Sequence, residues 1–99
     1  MLKCLAVSSL VMPTSVTTPS AEQIATAKTW PIWTHDVATF PWKYAESETC
    51  LIVEGRATVA AADGSEAASF GPGDLVTFPA GLKCTWTIHE PIRKHYTFG

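Results

Sequence analysis

From Trp30 onward, turn-forming residues cut the chain into short β-rich runs, with punctuation about every 8 to 12 positions. That rhythm is the pattern of an all-β sandwich or barrel. The expected strands are Trp33 to Phe40 and Trp42 to Glu46, parted by Pro41, which cannot donate to a central ladder. Thr49 to Glu54 follows and ends at Gly55. Arg56 to Ala62 and Ser65 to Phe70 are expected to pair through Asp63-Gly64 as a two-residue hairpin turn, whose positive φ suits Asp-Gly. Leu75 to Phe78 lies between turns at Gly71-Pro72-Gly73-Asp74 and Pro79-Ala80-Gly81, and Pro91 separates two last strands, Leu82 to His89 and Ile92 to Phe98. Only Ser20 to Lys28 reads as helix: one or two turns, with Ser20 as N-cap and Glu22 in the first turn.

Ninety-nine residues, 46% of them hydrophobic, suit one domain with one core, placed at residues 20–99. Residues 1–19 are an N-terminal arm, a first strand or the remnant of a targeting peptide: Leu5 to Met12 is mostly apolar but short, and no acid precedes Glu22. The 7 basic residues are scattered against 9 acidic ones, which argues against a nucleic-acid partner, since phosphate binding needs clustered positive charge. No apolar run approaches the roughly 20 residues that span a bilayer. Cys4, Cys50 and Cys84 are an odd number, unlike a fully paired secreted framework, so a reducing compartment is expected, the cytoplasm or an organelle interior.

Strand alternation assigns faces. If Ile52 points into the core, so do Glu48 and Cys50, while Leu51 and Val53 face the other way. Leu82, Cys84, Trp86 and Ile88 share one face, Ile92, Lys94, Tyr96 and Phe98 another, and Trp42, Tyr44 and Glu46 form a third row.

Two stretches resemble the cupin superfamily. Glu48 to Gly55 has the spacing that closes its first motif, a Glu and six residues before Gly, and Gly73-Asp74-Leu75-Val76-Thr77-Phe78-Pro79-Ala80-Gly81 has that of its second. Together with Trp30-Pro31-Ile32-Trp33 and Arg93-Lys94-His95-Tyr96, they are most similar to small single-domain cupins related to the cupin domain of ureidoglycine aminohydrolase. The resemblance implies a cupin-type jelly-roll β-barrel around one pocket, with one short N-terminal helical turn. A shared fold does not imply a shared reaction.

In metal-binding cupins, two His and the Glu of the first motif converge on a cation with the His of the second. Here Trp42 and Tyr44 stand at the first two positions and Cys84 at the last, leaving Glu48. Glu48 and Cys84 alone are a poor donor set, so no cofactor is expected and a divalent metal is disfavoured. His35, His89 and His95 lie outside the motif positions and read as surface or strand-end residues.

A buried Glu48 still needs a partner. Lys94 shares its face with Ile92 and Tyr96, and either enters the barrel to pair with Glu48 or points outward. Cys50 and Cys84 point inward, as a nucleophilic thiol with a pKa lowered by Lys94 or as small buried hydrophobes. Trp30 and Trp33 precede the barrel and cap one end or meet a second subunit. The expected function is binding of a small molecule in a pocket of Trp42, Tyr44, Glu48, Cys50, Cys84, Trp86 and Lys94, in a possible homodimer. Alternatives are an enzyme acting through a metal or a thiol on a small nitrogenous or sugar-like substrate, with Glu48, Cys84 and Lys94 as candidate catalytic residues, or a structural, accessory subunit.

Overall fold

The structure is a computed structural model that describes residues 14–99. The readings made of Met1 to Met12, including Cys4, lie outside the described residues. In chain order the elements are β1 (Ser15–Thr17), α1 (Ala21–Ala27), β2 (Ile32–His35), β3 (Ala38–Lys43), β4 (Glu48–Ala61), β5 (Ala67–Phe70), β6 (Leu75–Phe78) and β7 (Lys83–Phe98). The strands form one antiparallel sheet organised about β4 and β7, which pair along nearly their whole length.

These two long strands serve both halves of the sheet. Beyond the Glu48 to Leu51 end of β4 lie β6 and then β1, and beyond the Ile92 to His95 end of β7 lies β2. The other half is built from β5 on Ala57 to Ala60 and β3 on Lys83 to Ile88. Between the halves the β4–β7 ladder shifts register three times, from Ile52 to Ala57. Bulges of this kind bend a strand and increase its twist. Side chains from both halves then meet in one core that includes Ile52, Val59, Phe70, Phe78, Ile88 and Ile92. The result is an all-β jelly roll with a single short helix among the described residues.

Three expected strand breaks move. Gly55 does not end a strand and Pro91 does not separate two, because the bulge accommodates both. Gly55 sits at φ +90 against the backbone of Pro91, and Pro91 occupies a place in β7 with no paired residue on β4. The missing proline N–H therefore breaks no regular ladder bond. Pro41 lies inside β3, where it faces Thr85, and the chain breaks instead at Asp36-Val37. Among the described residues β3 pairs with β7 alone, and an edge strand tolerates proline.

The Asp63-Gly64 turn is wider than two residues. Ala61 N–H bonds Glu66 O, Gly64 N–H bonds Ala61 O, and Asp63 Oδ1 accepts from Ser65 N–H, so the loop spans Ala62 to Ser65. An Asp side chain that satisfies the backbone two residues on favours this longer turn.

The alternation of β4 also explains the helix. Ile52 faces the main core, so Leu51 faces the opposite side of the sheet, where α1 covers it. Ser20 Oγ accepts from Gln23 N–H at 3.1 Å, and Gln23 Oε1 accepts from Ser20 N–H at 2.8 Å. This capping box fixes the helix start. Ala27 then packs with Leu51 and Leu75 beneath Ile24 and Trp30.

Candidate functional site

Between the two halves lies a cavity of about 230 Å³ lined by Trp33, Phe40, Trp42, Tyr44, Glu48, Trp86, Lys94, Tyr96 and Phe98. Seven of these nine side chains are aromatic, and the two charged ones face each other. Glu48 opens β4 and Lys94 lies near the end of β7, adjacent strands in the first half of the sheet. Both are buried, at 4% exposure, and Lys94 Nζ donates to Glu48 Oε2 at 3.0 Å. Lys94 thus takes the inward of the two orientations open to it in sequence.

The network continues from the other carboxylate oxygen. Tyr44 O–H donates to Glu48 Oε1 at 2.8 Å, and Trp86 Nε1–H donates to Tyr44 Oη at 3.3 Å. Burial, followed by the negative charge of Glu48, pushes the Tyr44 phenol well above its usual range, so it remains a donor. The ammonium of Lys94 also lies 4.9 Å from the Trp33 ring centre and 4.7 Å from that of Trp86. Desolvated cation–π contacts of this kind contribute about 2 kcal/mol.

At the mouth, Trp42 and Phe98 are about half exposed, at 49% and 48%. Phe40 lies parallel to Trp86 at a centroid separation of 6.3 Å, and Tyr44 stacks on Phe78 at 5.0 Å. The pocket therefore has a buried, charged floor and an aromatic rim.

The cysteines are placed differently from the expected pocket. Cys50 and Cys84 are buried but do not line the cavity: Cys50 belongs to the core, and the Cys84 thiol donates to Trp42 O at 3.5 Å. Of the two readings open to these thiols, lowered pKa or small buried hydrophobe, the surroundings favour the second. Burial raises the Cys50 pKa to about 12 and outweighs the opposing pull of Lys94, while Glu48 raises it further. Burial and then Glu48 raise Cys84 as well. Cys50's contribution to stability is fully present below about pH 9 and is lost as pH rises through about 12. Iodoacetamide at about pH 8.5 is expected to leave both thiols unmodified in the folded chain, as read by peptide mass mapping. Rapid modification of either would return the thiol to consideration as a nucleophile.

Trp33, Phe40, Tyr96 and Phe98 complete the lining beyond the expected residues. Trp33 is the direct cross-strand neighbour of Lys94, and Phe40 that of Trp86. Tyr96 and Phe98 carry a readable signal, the alternation that begins at Ile92 and Lys94. Trp33 and Trp30 part company: Trp33 lines the pocket, whereas Trp30 packs under the helix on the outer face. The three histidines stay outside the cavity, His35 and His89 exposed and His95 half-buried with Nδ1 2.9 Å from Trp30 O.

Residues 23–96, three quarters of the chain, match the family described as the EutQ-like cupin domain. The chain belongs to the EutQ-like cupin family. A crystal structure of a DUF861 family protein from Thermotoga maritima is similar to this cupin over 88% of the chain and 100% of the other, with 40% identity and a TM-score of 0.83. A DUF861 family protein of unknown function from Pseudomonas syringae is 25% identical, with a TM-score of 0.61, over 69% of this chain but only 29% of its own. The Clostridium difficile EutQ protein, 19% identical with a TM-score of 0.61, matches over 68% of this chain and 52% of its own, and shows the shared fold alone. No curated protein matches the chain.

Within this EutQ-like cupin, no three His, Cys, Asp or Glu side chains converge among the described residues. Likewise, no helix among them is long and apolar enough to cross a membrane.

Proposed function

We propose that this EutQ-like cupin binds a small organic molecule in its aromatic pocket without a metal ion, the ammonium of Lys94 standing in for the cation. The observation that carries this reading is the 3.0 Å contact between Lys94 Nζ and Glu48 Oε2 in a buried site. The surrounding donor set supports it. Tyr44 holds the second carboxylate oxygen, and Trp42, Tyr44 and Cys84 stand where metal-binding cupins have histidine. An indole and a phenol with a raised pKa are poor ligands for a divalent ion.

The likeness to ureidoglycine aminohydrolase therefore brings no metal chemistry to this chain. A thiol-based reaction gains no support either, since both thiols are held protonated and away from the cavity. A cavity of about 230 Å³ favours binding over a purely structural barrel filled by its own side chains.

Protein purified without chelator or affinity metal is expected to contain far less than stoichiometric Mn, Fe, Zn or Ni. Adding these ions should leave Tm unchanged. A resident metal at about 100 times its dissociation constant would stabilise the fold by about 2.7 kcal/mol, a readily seen shift. Stoichiometric metal with such a shift would overturn the proposal.

A further inference from the structure

The charge balance of the pocket floor constrains what it can hold. This inference rests on the binding reading above and names the class of ligand. Glu48 and Lys94 carry one charge each, both buried, and together they sum to zero. A carboxylate ligand would leave the buried floor with a net negative charge, and an ammonium ligand a net positive one. Either excess is expensive away from water.

The floor nevertheless has unused hydrogen-bonding capacity. Lys94 has three N–H donors, and among the described residues one hydrogen bond is made from Nζ, to Glu48 Oε2. The indoles of Trp33 and Trp86 attract its charge through their faces but offer no oxygen acceptor. Glu48 has about four acceptor positions on its two oxygens, and Tyr44 and Lys94 fill one on each. An open donor thus lies beside an open acceptor, on a floor of zero net charge. A hydrocarbon would leave both open, which costs about 1–3 kcal/mol for each buried group left unpaired.

We infer that the pocket recognises a small, flat, uncharged molecule with a carboxamide edge, its carbonyl oxygen on Lys94 and its N–H on Glu48. A flat body suits the rings of Trp42 and Phe98 near the mouth and of Phe40 deeper in the lining, and the cavity limits it to about one ring.

Four probes of nearly equal size test this on the full chain: benzamide, benzoate, benzylamine and toluene. Binding is followed by titration through the indole N–H resonances of Trp33 and Trp86. Benzamide is expected to bind at least about tenfold more tightly than each of the other three, equivalent to about 1.4 kcal/mol. A double variant, Glu48→Met with Lys94→Met, removes both hydrogen-bonding groups while keeping side chains of similar length, and should reduce the preference for benzamide over toluene to near unity. Benzoate or benzylamine binding as tightly as benzamide would overturn the carboxamide inference and leave the binding reading standing. The same holds if toluene matches benzamide in the wild-type chain, or if the double variant keeps the preference. If none of the four moves either indole resonance, both the inference and the binding reading fall.

Discussion

Replacing Lys94 with Met is expected to lower the unfolding free energy by about 3–5 kcal/mol, and adding Glu48→Gln to the same chain is expected to recover most of it. The asymmetry follows from burial. Met keeps the length and apolar stem of Lys94 but leaves the Glu48 carboxylate without its cation, among aromatic rings and with Tyr44 as its one side-chain hydrogen-bond donor among the described residues. Removing one partner of a buried pair is far more damaging than removing both, because the damage comes from the charge left behind. Urea denaturation of the wild type, the two single variants and the double variant forms a double-mutant cycle that isolates the coupling. A Lys94→Met protein as stable as the wild type would mean that the ion pair does not hold the floor of the pocket.

The second large effect is expected at Gly55, where Ala should destabilise by at least about 3 kcal/mol. Two causes act together. Gly55 has φ +90, a conformation that costs an L-residue about 1–2 kcal/mol, and an added Cβ would lie 2.1 Å from Pro91 O. The obstacle is backbone on the paired strand, so relief requires the β4–β7 bulge itself to open. Gly64 provides the control: its φ is +78, but none of the described residues lies within 4 Å of an added Cβ. Gly64→Ala should therefore show only the conformational part, about 1–2 kcal/mol. Equal losses at the two positions, measured by chemical denaturation, would show that the close approach at Pro91 is not what fixes glycine at Gly55.

The contrast between these positions shows why some of the fold was readable in sequence and some was not. Side-chain direction has a period of two, so the step from Ile52 to Glu48 needs only local information, whereas Lys94 is open to either face in sequence and the register of β7 on β4 puts it inside. Strand boundaries are less legible, because turn residues such as glycine and proline mark them only in one dimension. Pro41 and Pro91 look like breaks in a one-dimensional reading, but whether a proline breaks a strand depends on its neighbours in the sheet. Pro41 lies in a strand paired on one side, and Pro91 sits at a bulge, neither of which sequence reveals. Trp33 was missed as part of the pocket for a related reason. Its role comes from lying opposite Lys94, sixty-one positions later in the chain by numbering, and no local pattern encodes that pairing. The cysteines were assigned inward correctly, but facing inward placed Cys50 in the core and Cys84 against Trp42 O rather than in the cavity.

The order in which the ladder closes has a consequence for how the protein is made. β4 is synthesised in the middle of the chain, yet Glu48 pairs in register with Phe98, and the partner strand carrying Lys94 follows β5 and β6. While β4, β5 and β6 have emerged from a ribosome and β7 has not, the Glu48 carboxylate has no counter-ion and the Ile52 and Val59 side of β4 has no partner along its longest ladder. Long-range pairing of this kind is slow because the loop must close before contacts repay its entropy. The charged floor is complete only when the segment from Lys83 to Phe98 is paired along β4, because Lys94 and Trp86 both lie on it.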